Sequence, residues 1–513
     1  MKHRLSNKLD PKLDLFAKQI TEFEQRKIDY SRLKPVHTQW GIYKERQNEN
    51  FMIRIRLPGG IITTKQLMSV AILSQKYGNG KLHFTTRQNI QLHQLKLTET
   101  YELIKKLHKI DLSSWAGCGD TIRNITTCNN CLRCQFNLYP YAIGLTEFLL
   151  AQQTSYNLPR KLKIALSGCK HDCAGACVAD IGLIAKRQNN ECGFSVYSGG
   201  GLGANSKIGY EIENFIPAIQ IVFAIEAIKS IFCKLGTRVK RNKARLRFLV
   251  NTLGQTKFHK LYRKEKDKIK ANLNPEEIYN RVKKLNCKLS DIINHTTNTD
   301  FTVPLFLGNI DANKLINILK ISREYNIGYI TATNTQNIIF RGIKYSLEKA
   351  FRAEINKIFS QISYPKIYSN IISCVGATTC TLGICQSQKI SADIWQKLSE
   401  CNLPLSELSD ITINISGCLN SCGRTNISSI GLIGCKKKIN NKIKYYYIIK
   451  LAGKTHSDNS TLAKQIAIIP EDSVSDYIIN LLKEYITQKS FTTFNQFAEN
   501  ITSEKHNNYI NEK

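Results

Sequence analysis

The chain has 513 residues, room for more than one core and, at about 150 residues each, for roughly three to four domains, which excludes a small disulfide-stapled scaffold. Lys plus Arg number 73 against 40 Asp plus Glu, a formal charge of +33, while 42% hydrophobic and 9% aromatic content excludes a disordered basic tail. A positive field of that size attracts nucleic acid, anionic membranes, acidic proteins or small anions without choosing among them, and a usage rich in Lys, Asn and Ile along the whole chain produces part of it with no partner at all.

Residues 1–42 read as a polar N-terminal extension. They lack the apolar stretch of a secretory signal, so a cytoplasmic, reducing setting is expected, in which clustered cysteines read as metal ligands or redox groups. Residues 43–105 contain Met52 to Arg56, Thr64 to Gly78 and Lys81 to Gln94, a β-α-β pattern that predicts a small ferredoxin-like half-domain. Residues 106–290 hold cysteines, glycine turns and longer helical runs, the makings of a site-bearing α/β portion. Within them Ile219 to Cys233 is the most apolar run, but it is short and carries Glu226 and Lys229, so no membrane insertion is expected. Lys240 to Lys284 is highly charged with Leu246, Phe248, Leu249 and Leu253 at helical spacing, and reads as solvated helix and linker. The pattern then starts again. Thr302 to Leu307, Asp311 to Tyr325 and Gly328 to Gly342 predict a second half-domain over residues 291–360, followed by a second cysteine-bearing portion over 361–490 and a polar tail over 491–513.

Three segments place the two copies in register. Ser167-Gly168-Cys169 through Cys173 and Asp180-Ile181-Gly182-Leu183-Ile184 recur 249 residues later as Ser416-Gly417-Cys418 through Cys422 and Ser429-Ile430-Gly431-Leu432-Ile433. Gln88-Asn89-Ile90 recurs as Gln336-Asn337-Ile338, and Cys128-x5-Cys134 as Cys374-x5-Cys380. Offsets agreeing within three residues indicate a duplication of a unit of about 250 residues, too long for a solenoid repeat.

In the second copy Cys374-x5-Cys380 and Cys418-x3-Cys422 place four thiolates on two loops, enough for one tetrahedral metal or one cubane cluster. The x5 gap is wider than the knuckles zinc usually occupies. The competing assignment is four buried, inert cysteines, which a repeated arrangement disfavours.

These residues resemble the siroheme-containing sulfite and nitrite reductases, whose cluster signature is this pair of spacings. Ser416 to Arg424 is similar to the family's proximal loop, and Arg54 to Gly60 with Thr63-Thr64-Lys65-Gln66 to its first half-domain. Thr86 to Gln91, Ile122-Arg123-Asn124 and Leu158 to Lys163 follow in the family's order, so the likeness covers roughly residues 45 to 455. The fold it implies is α+β and internally duplicated: two ferredoxin-like half-domains and two siroheme/4Fe-4S α/β domains with pseudo-two-fold symmetry. The resemblance implies a 4Fe-4S cluster on Cys374, Cys380, Cys418 and Cys422, with Cys422 also bridging to the siroheme iron. It assigns Arg87 and Gln91 to siroheme contacts, Asn420 and Arg424 to orienting the loop or meeting siroheme carboxylates, and Arg54, Arg123, Lys161 and Lys163 to gripping and protonating a small oxyanion. Lys161 and Lys163 lie two apart in a run that reads as a strand, and alternation puts both on one face. A glycine turn, Gly199 to Gly203, also matches, and its spacing is not that of a dinucleotide-binding fingerprint.

The chain departs from the family's pattern in three places. The first copy keeps Cys128-x5-Cys134 and Cys169-x3-Cys173, a candidate second cluster, although Cys118, Cys131 and Cys177 lie close and Cys128-x2-Cys131-x2-Cys134 also resembles a bacterial-ferredoxin run. His83 sits where a cationic siroheme contact is expected, and Ala452-Gly453-Lys454 is a reduced counterpart of the glycine turn. The expected reaction is six-electron reduction of sulfite to sulfide, because Lys163 occupies a position where nitrite-reducing members tend to carry Asn; nitrite reduction to ammonia is the alternative. With no flavin or nicotinamide domain apparent, electrons are expected from an acidic donor protein, a ferredoxin or flavodoxin, with a separate flavoprotein subunit as the alternative. A nucleic-acid-binding module with structural metal sites would account for the charge, but nothing in it requires these cations in this motif order.

Overall fold

The computed structural model describes residues 6–47, 49–129, 133–290, 296–488 and 491–501, so Cys131 lies outside the described residues. The first half-domain contributes β1 (Ile42–Lys44), β2 (Phe51–Ile55), β3 (Ile61–Thr63), β4 (Lys81–Phe84) and β5 (Ile90–Leu95). The first cysteine-bearing lobe contributes β6 (Thr126–Thr127), β7 (Ile164–Ser167), β8 (Ile181–Gln188), β9 (Glu191–Ser198) and β10 (Tyr210–Pro217). The second half-domain follows with β11 (Asn298–Val303), β12 (Asn309–Asp311), β13 (Tyr329–Ala332) and β14 (Ile338–Lys344). The second lobe closes the chain with β15 (Ile371–Ser373), β16 (Ile413–Ser416), β17 (Ile430–Ile439), β18 (Lys442–Leu451) and β19 (Lys464–Pro470).

The two lobes repeat one topology. Sheet order is β10-β9-β8-β7-β6 in the first and β15-β16-β17-β18-β19 in the second, each with three parallel strands continued by two antiparallel ones. The half-domains go further and exchange strands. The order β1-β2-β5-β4-β12 draws β12 from the second copy, and β11-β14-β13-β3 draws β3 from the first. Their apolar faces therefore merge into one core running from Leu9 to Ala116 and from Phe301 to Phe359, while each lobe has a core of its own.

Equivalent buried glutamines fix the two-fold relation. Gln88 (φ 55°) donates its amide to Ala332 O at 2.9 Å and accepts from Thr127 N at 2.8 Å. Gln336 (φ 64°) donates to Phe84 O at 3.1 Å and accepts from Ser373 N at 3.0 Å, the same bonds with the copies interchanged. Positive φ also recurs at Asp172 and Ser421, and at Gly199 and Ala452, so the reduced glycine turn keeps the backbone path of its partner.

Three segments expected to be polar or solvated are instead packed. In the helix Ser6–Glu24, Leu9, Leu13, Phe16 and Ile20 recur on one face and are buried, and Phe16 stacks on Trp40 at 6.1 Å. The helix Phe494–Asn500 buries Phe494 and Phe497 in the second lobe. Between the copies, Leu246–Leu253, Gln255–Asn272 and Glu276–Leu289 are helices whose Leu246, Phe258 and Tyr262 are fully enclosed, so this is a docked helical layer and not a linker. The charge run masked the apolar positions because Lys and Arg stems cover the same surface while their heads stay in water.

Candidate active site

The cysteines leave the carboxyl ends of neighbouring parallel strands, where an open α/β sheet presents its crevice. Cys374 follows β15 directly, Gly417 and Cys418 follow β16, and Gly417 N donates to Cys374 Sγ at 3.3 Å. Burial and then the Cys422 thiol push Cys374 up to about 12. Burial likewise raises Cys418, against hydrogen bonds from the Asn420 backbone and side chain and with further repulsion from Cys422 and Cys380. The four thiols thus share one electrostatic neighbourhood. Among the described residues no three His, Cys, Asp or Glu side chains close around a point as a single metal ion requires. Four thiolates carried on two loops suit a cubane taking one thiolate per iron.

First-copy cations face this loop. Arg54, on β2, donates to Gly117 O and Cys118 Sγ, both at 3.3 Å, and burial that would lower it is outweighed by thiols including Cys422 and Cys380. Arg123 donates to Gly117 O and Gly119 O, each at 2.7 Å, and leaves Nε buried without a partner. Lys161 and Lys163 flank the buried Leu162, which bridges to Ile122, so the alternation expected of a strand holds although β7 begins only at Ile164. Burial, with Arg123 and Arg245 adding repulsion, lowers Lys161 to about 7. Lys163 is held well below its ordinary value by burial, Arg87, Lys161 and Arg245. Both lysines also feel Cys422. Burial and Arg123 bring Arg87 down to about 9, and its guanidinium is tied to Asn124 O. Gln91 is buried on β5 with its amide toward Met52 Sδ at 3.4 Å. Thr86 Oγ1 donates to Cys422 O at 2.7 Å, which joins the half-domain to the second-copy loop.

Two residues lie apart from this group. Arg424 adopts φ 65° and turns its guanidinium to Cys173 O at 3.2 Å, toward the first-copy cysteines. His83 pairs with Asn309 Oδ1 at 2.9 Å, and burial together with His93 drives it down to about 3, so it is neutral where a cation was expected.

The site also contains residues the sequence did not single out. Asp180 is fully buried, holds Arg245 in a bidentate pair at 2.8 to 3.1 Å and accepts Lys163 N at 2.8 Å. Arg247 is buried with Nε and Nη1 unpartnered, and a side chain at Gly201 would meet it; Gly203 faces the Asn420 backbone. Arg56 donates to Ala116 O and Ile122 O and keeps Nε and Nη2 unpartnered. Arg245 and Arg247 carry no sequence signal inside a basic run. For Asp180 there was one: the equivalent position in the second copy is Ser429.

Crowded guanidinium and ammonium groups, with buried unpartnered N–H on Arg56, Arg123 and Arg247 and a glycine turn against Arg245 and Arg247, are the complement of a multiply charged anion. This donor set fits a carboxylate-rich macrocycle beside a thiolate-held cluster.

Comparison with known proteins agrees. A family model described as "Nitrite and sulphite reductase 4Fe-4S domain" matches residues 118–270, and "Nitrite/Sulfite reductase ferredoxin-like half domain" matches 43–110 and 296–358, together more than half of the chain. The chain belongs to the nitrite and sulfite reductase family. Siroheme and a 4Fe-4S cluster are accordingly its cofactors. The reductase is 25% identical to an assimilatory ferredoxin-dependent nitrite reductase of Haloferax mediterranei, over 90% of this chain and 84% of that one. It is 28% identical to the sulfite reductase [NADPH] hemoprotein beta-component of Staphylococcus epidermidis, over 75% and 73%. The solved structure of Mycobacterium tuberculosis NirA protein superposes with a TM-score of 0.79 at 20% identity, covering 93% of this chain and 91% of the other, which establishes the shared fold. Among the described residues no helix is long and apolar enough to cross a membrane.

Proposed function

We propose that the reductase converts sulfite to sulfide in a six-electron reaction at siroheme coupled to a 4Fe-4S cluster on Cys374, Cys380, Cys418 and Cys422. The observation that carries the sulfite reading is the second lysine, Lys163, beside Lys161 among Arg87 and Arg245. Sulfite at neutral pH reaches a dianionic form that nitrite lacks, so a pocket with a second ammonium, once the macrocycle's carboxylates offset the repulsion among its cations, favours sulfite. When bound, siroheme and the cluster would supply the single-electron redox chemistry.

The chain's own residues bind and protonate. Arg87, Arg245, Arg247 and Gln91 would hold the macrocycle's carboxylates and amide-accepting groups, and Asn420 would orient Cys418. Arg54 and Arg123 are fixed by backbone carbonyls with forked donors left over, which is how guanidinium groups grip oxyanion oxygens. Lys161, lowered by burial and neighbouring cations, would give up a proton to a substrate oxygen and regain it from solvent. Electrons would come from an acidic donor protein such as a ferredoxin or flavodoxin, in keeping with the +33 charge and with a ferredoxin-dependent relative.

Nitrite reduction to ammonia is the second reading, favoured by the greater span shared with the haloarchaeal nitrite reductase. Assay of purified holoenzyme with each anion and a reduced dye decides between them. The sulfite reading expects the higher kcat/KM with sulfite, and a nitrite value far above it overturns that reading.

A further inference from the structure

We propose that Cys128, Cys134, Cys169 and Cys173 hold a second iron-sulfur cluster, related to the first by the two-fold axis and unaccompanied by a second siroheme. This goes beyond the proposed reaction and is independent of which anion is reduced.

The first-copy cysteines occupy the same frame as the second-copy set. Cys128 follows β6 as Cys374 follows β15, and Gly168 and Cys169 follow β7 as Gly417 and Cys418 follow β16. Gly168 N donates to Cys128 Sγ at 3.2 Å, the counterpart of the bond from Gly417 N to Cys374 Sγ at 3.3 Å. Cys128 and Cys134 bring their sulfurs to 3.4 Å, and any side chain at Gly168 would collide with both, so the backbone is kept bare where two sulfurs converge. Cys173 and Cys422, at equivalent positions, are the most open of their sets. Of the nearby cysteines among the described residues, Cys118 accepts from Arg54, and Cys177 is raised by burial and Asp172 while its thiol faces His456 O at 3.8 Å; Cys131 lies outside them.

What surrounds the two sets differs. By the common register, Arg54 and Gln91 correspond to Thr302 and Ile339, adjacent partners on β11 and β14 as the former are on β2 and β5. Lys163 N binds Asp180 Oδ2 as Thr412 N binds Ser429 Oγ, so Lys163 corresponds to Thr412 and Lys161 to Asp410. Arg87 corresponds to Thr335. Two arginines do reach the first-copy loops: Arg424 is bonded to Cys173 O beside the buried Asp172, and Arg341 meets Asn129 O, paired with Asp300 over the fully buried Tyr139. Thiolates are repeated and carboxylate-binding cations are not, which fits a cluster and does not fit a macrocycle carrying many carboxylates.

Holoenzyme purified without oxygen tests this by acid-labile sulfide and iron per siroheme, with zinc measured in the same sample. About eight sulfides per siroheme are expected, and about four overturn the proposal. Zinc bound one to one, or a Cys128–Cys134 disulfide in a chain with full siroheme, overturns it equally. The double variant Cys128→Ser, Cys169→Ser should lose about half the sulfide and keep the siroheme absorbance; unchanged sulfide overturns the assignment of ligands. If this variant does not fold, the wild-type stoichiometry still decides. A preparation that binds no siroheme would refute the proposed function instead, so the two failures are distinct.

Discussion

Lys161 and Asp180 show how single residues set the chemistry of this pocket. Lys161 is lowered to about 7 by burial and neighbouring cations in the bare chain, and a carboxylate-rich macrocycle adds negative charge that moves it back upward. With the macrocycle bound, this lysine is expected to keep its proton further into the alkaline range. If the protonated lysine is the donor, kcat/KM falls as pH rises through an apparent value above 7. Lys161→Met should abolish that alkaline limb and lower kcat/KM by about 10²–10⁴-fold while siroheme absorbance is retained; steady-state pH profiles of both proteins check it. Asp180 is fully enclosed and is the carboxylate found against Arg245 and the Lys163 backbone. Asp180→Asn leaves a buried guanidinium without its counter-charge, so a loss of about 3–5 kcal/mol in urea unfolding is expected. The family resemblance singled out the lysines, and alternation along the strand-like run put both on one face. Sequence reasoning passed over Asp180 and Arg245 because a bidentate pair 65 residues apart leaves no local pattern.

Elements divide in the same way. The β-α-β runs of each half-domain were legible from the strand and helix patterning, and the structure adds a capping box at Thr63 and Gln66. The exchange of β3 and β12 was not, since a three-residue strand carries too few side chains to specify its sheet. That exchange depends on Gly60 (φ 77°) and Gly308 (φ 74°), where a Cβ would strike Ala332 O and Phe84 O of the opposite copy. Gly60→Ala and Gly308→Ala should therefore each destabilise the chain by more than about 2 kcal/mol and by similar amounts, as chemical denaturation would show. Beyond the core, the hairpin of β17 and β18 exposes Lys436, Lys437, Lys438, Lys442 and Lys444 beside Ile443 and Tyr445. Its base at Gly434 packs on Gly417 O, next to Cys418. An acidic one-electron donor docked there would approach the cysteine loop. Replacing Lys436, Lys437 and Lys438 by Glu should slow turnover with a protein donor at low salt and leave turnover with a reduced dye unchanged; equal rates with the protein donor would remove this hairpin from the docking surface.

Across the whole molecule the positive charge is unevenly distributed, and the structure gives part of it an interior role. Much of the +33 lies on solvated lysines, but Arg54, Arg87, Arg123, Lys161, Lys163, Arg245 and Arg247 are gathered where the first half-domain and first lobe face the second-copy cysteine loop. Like charges at that junction repel, and burial reinforces the cost by lowering Arg87 to about 9 and Arg247 to about 10. A bound polyanion offsets both effects at once and so acts as a fastener between the two copies. Removal of siroheme should lower Tm, since a ligand that binds only the folded chain stabilises it in proportion to the logarithm of its concentration over Kd. Sulfate or phosphate should then raise the Tm of the siroheme-free protein more than that of the holoenzyme, because only the former has unpartnered buried N–H groups for an added anion to meet. Differential scanning calorimetry of both forms, with chloride at matched ionic strength as the control, measures this. Equal anion effects on the two forms would mean that the cations are already satisfied within the protein, and that the pocket owes nothing of its stability to the macrocycle.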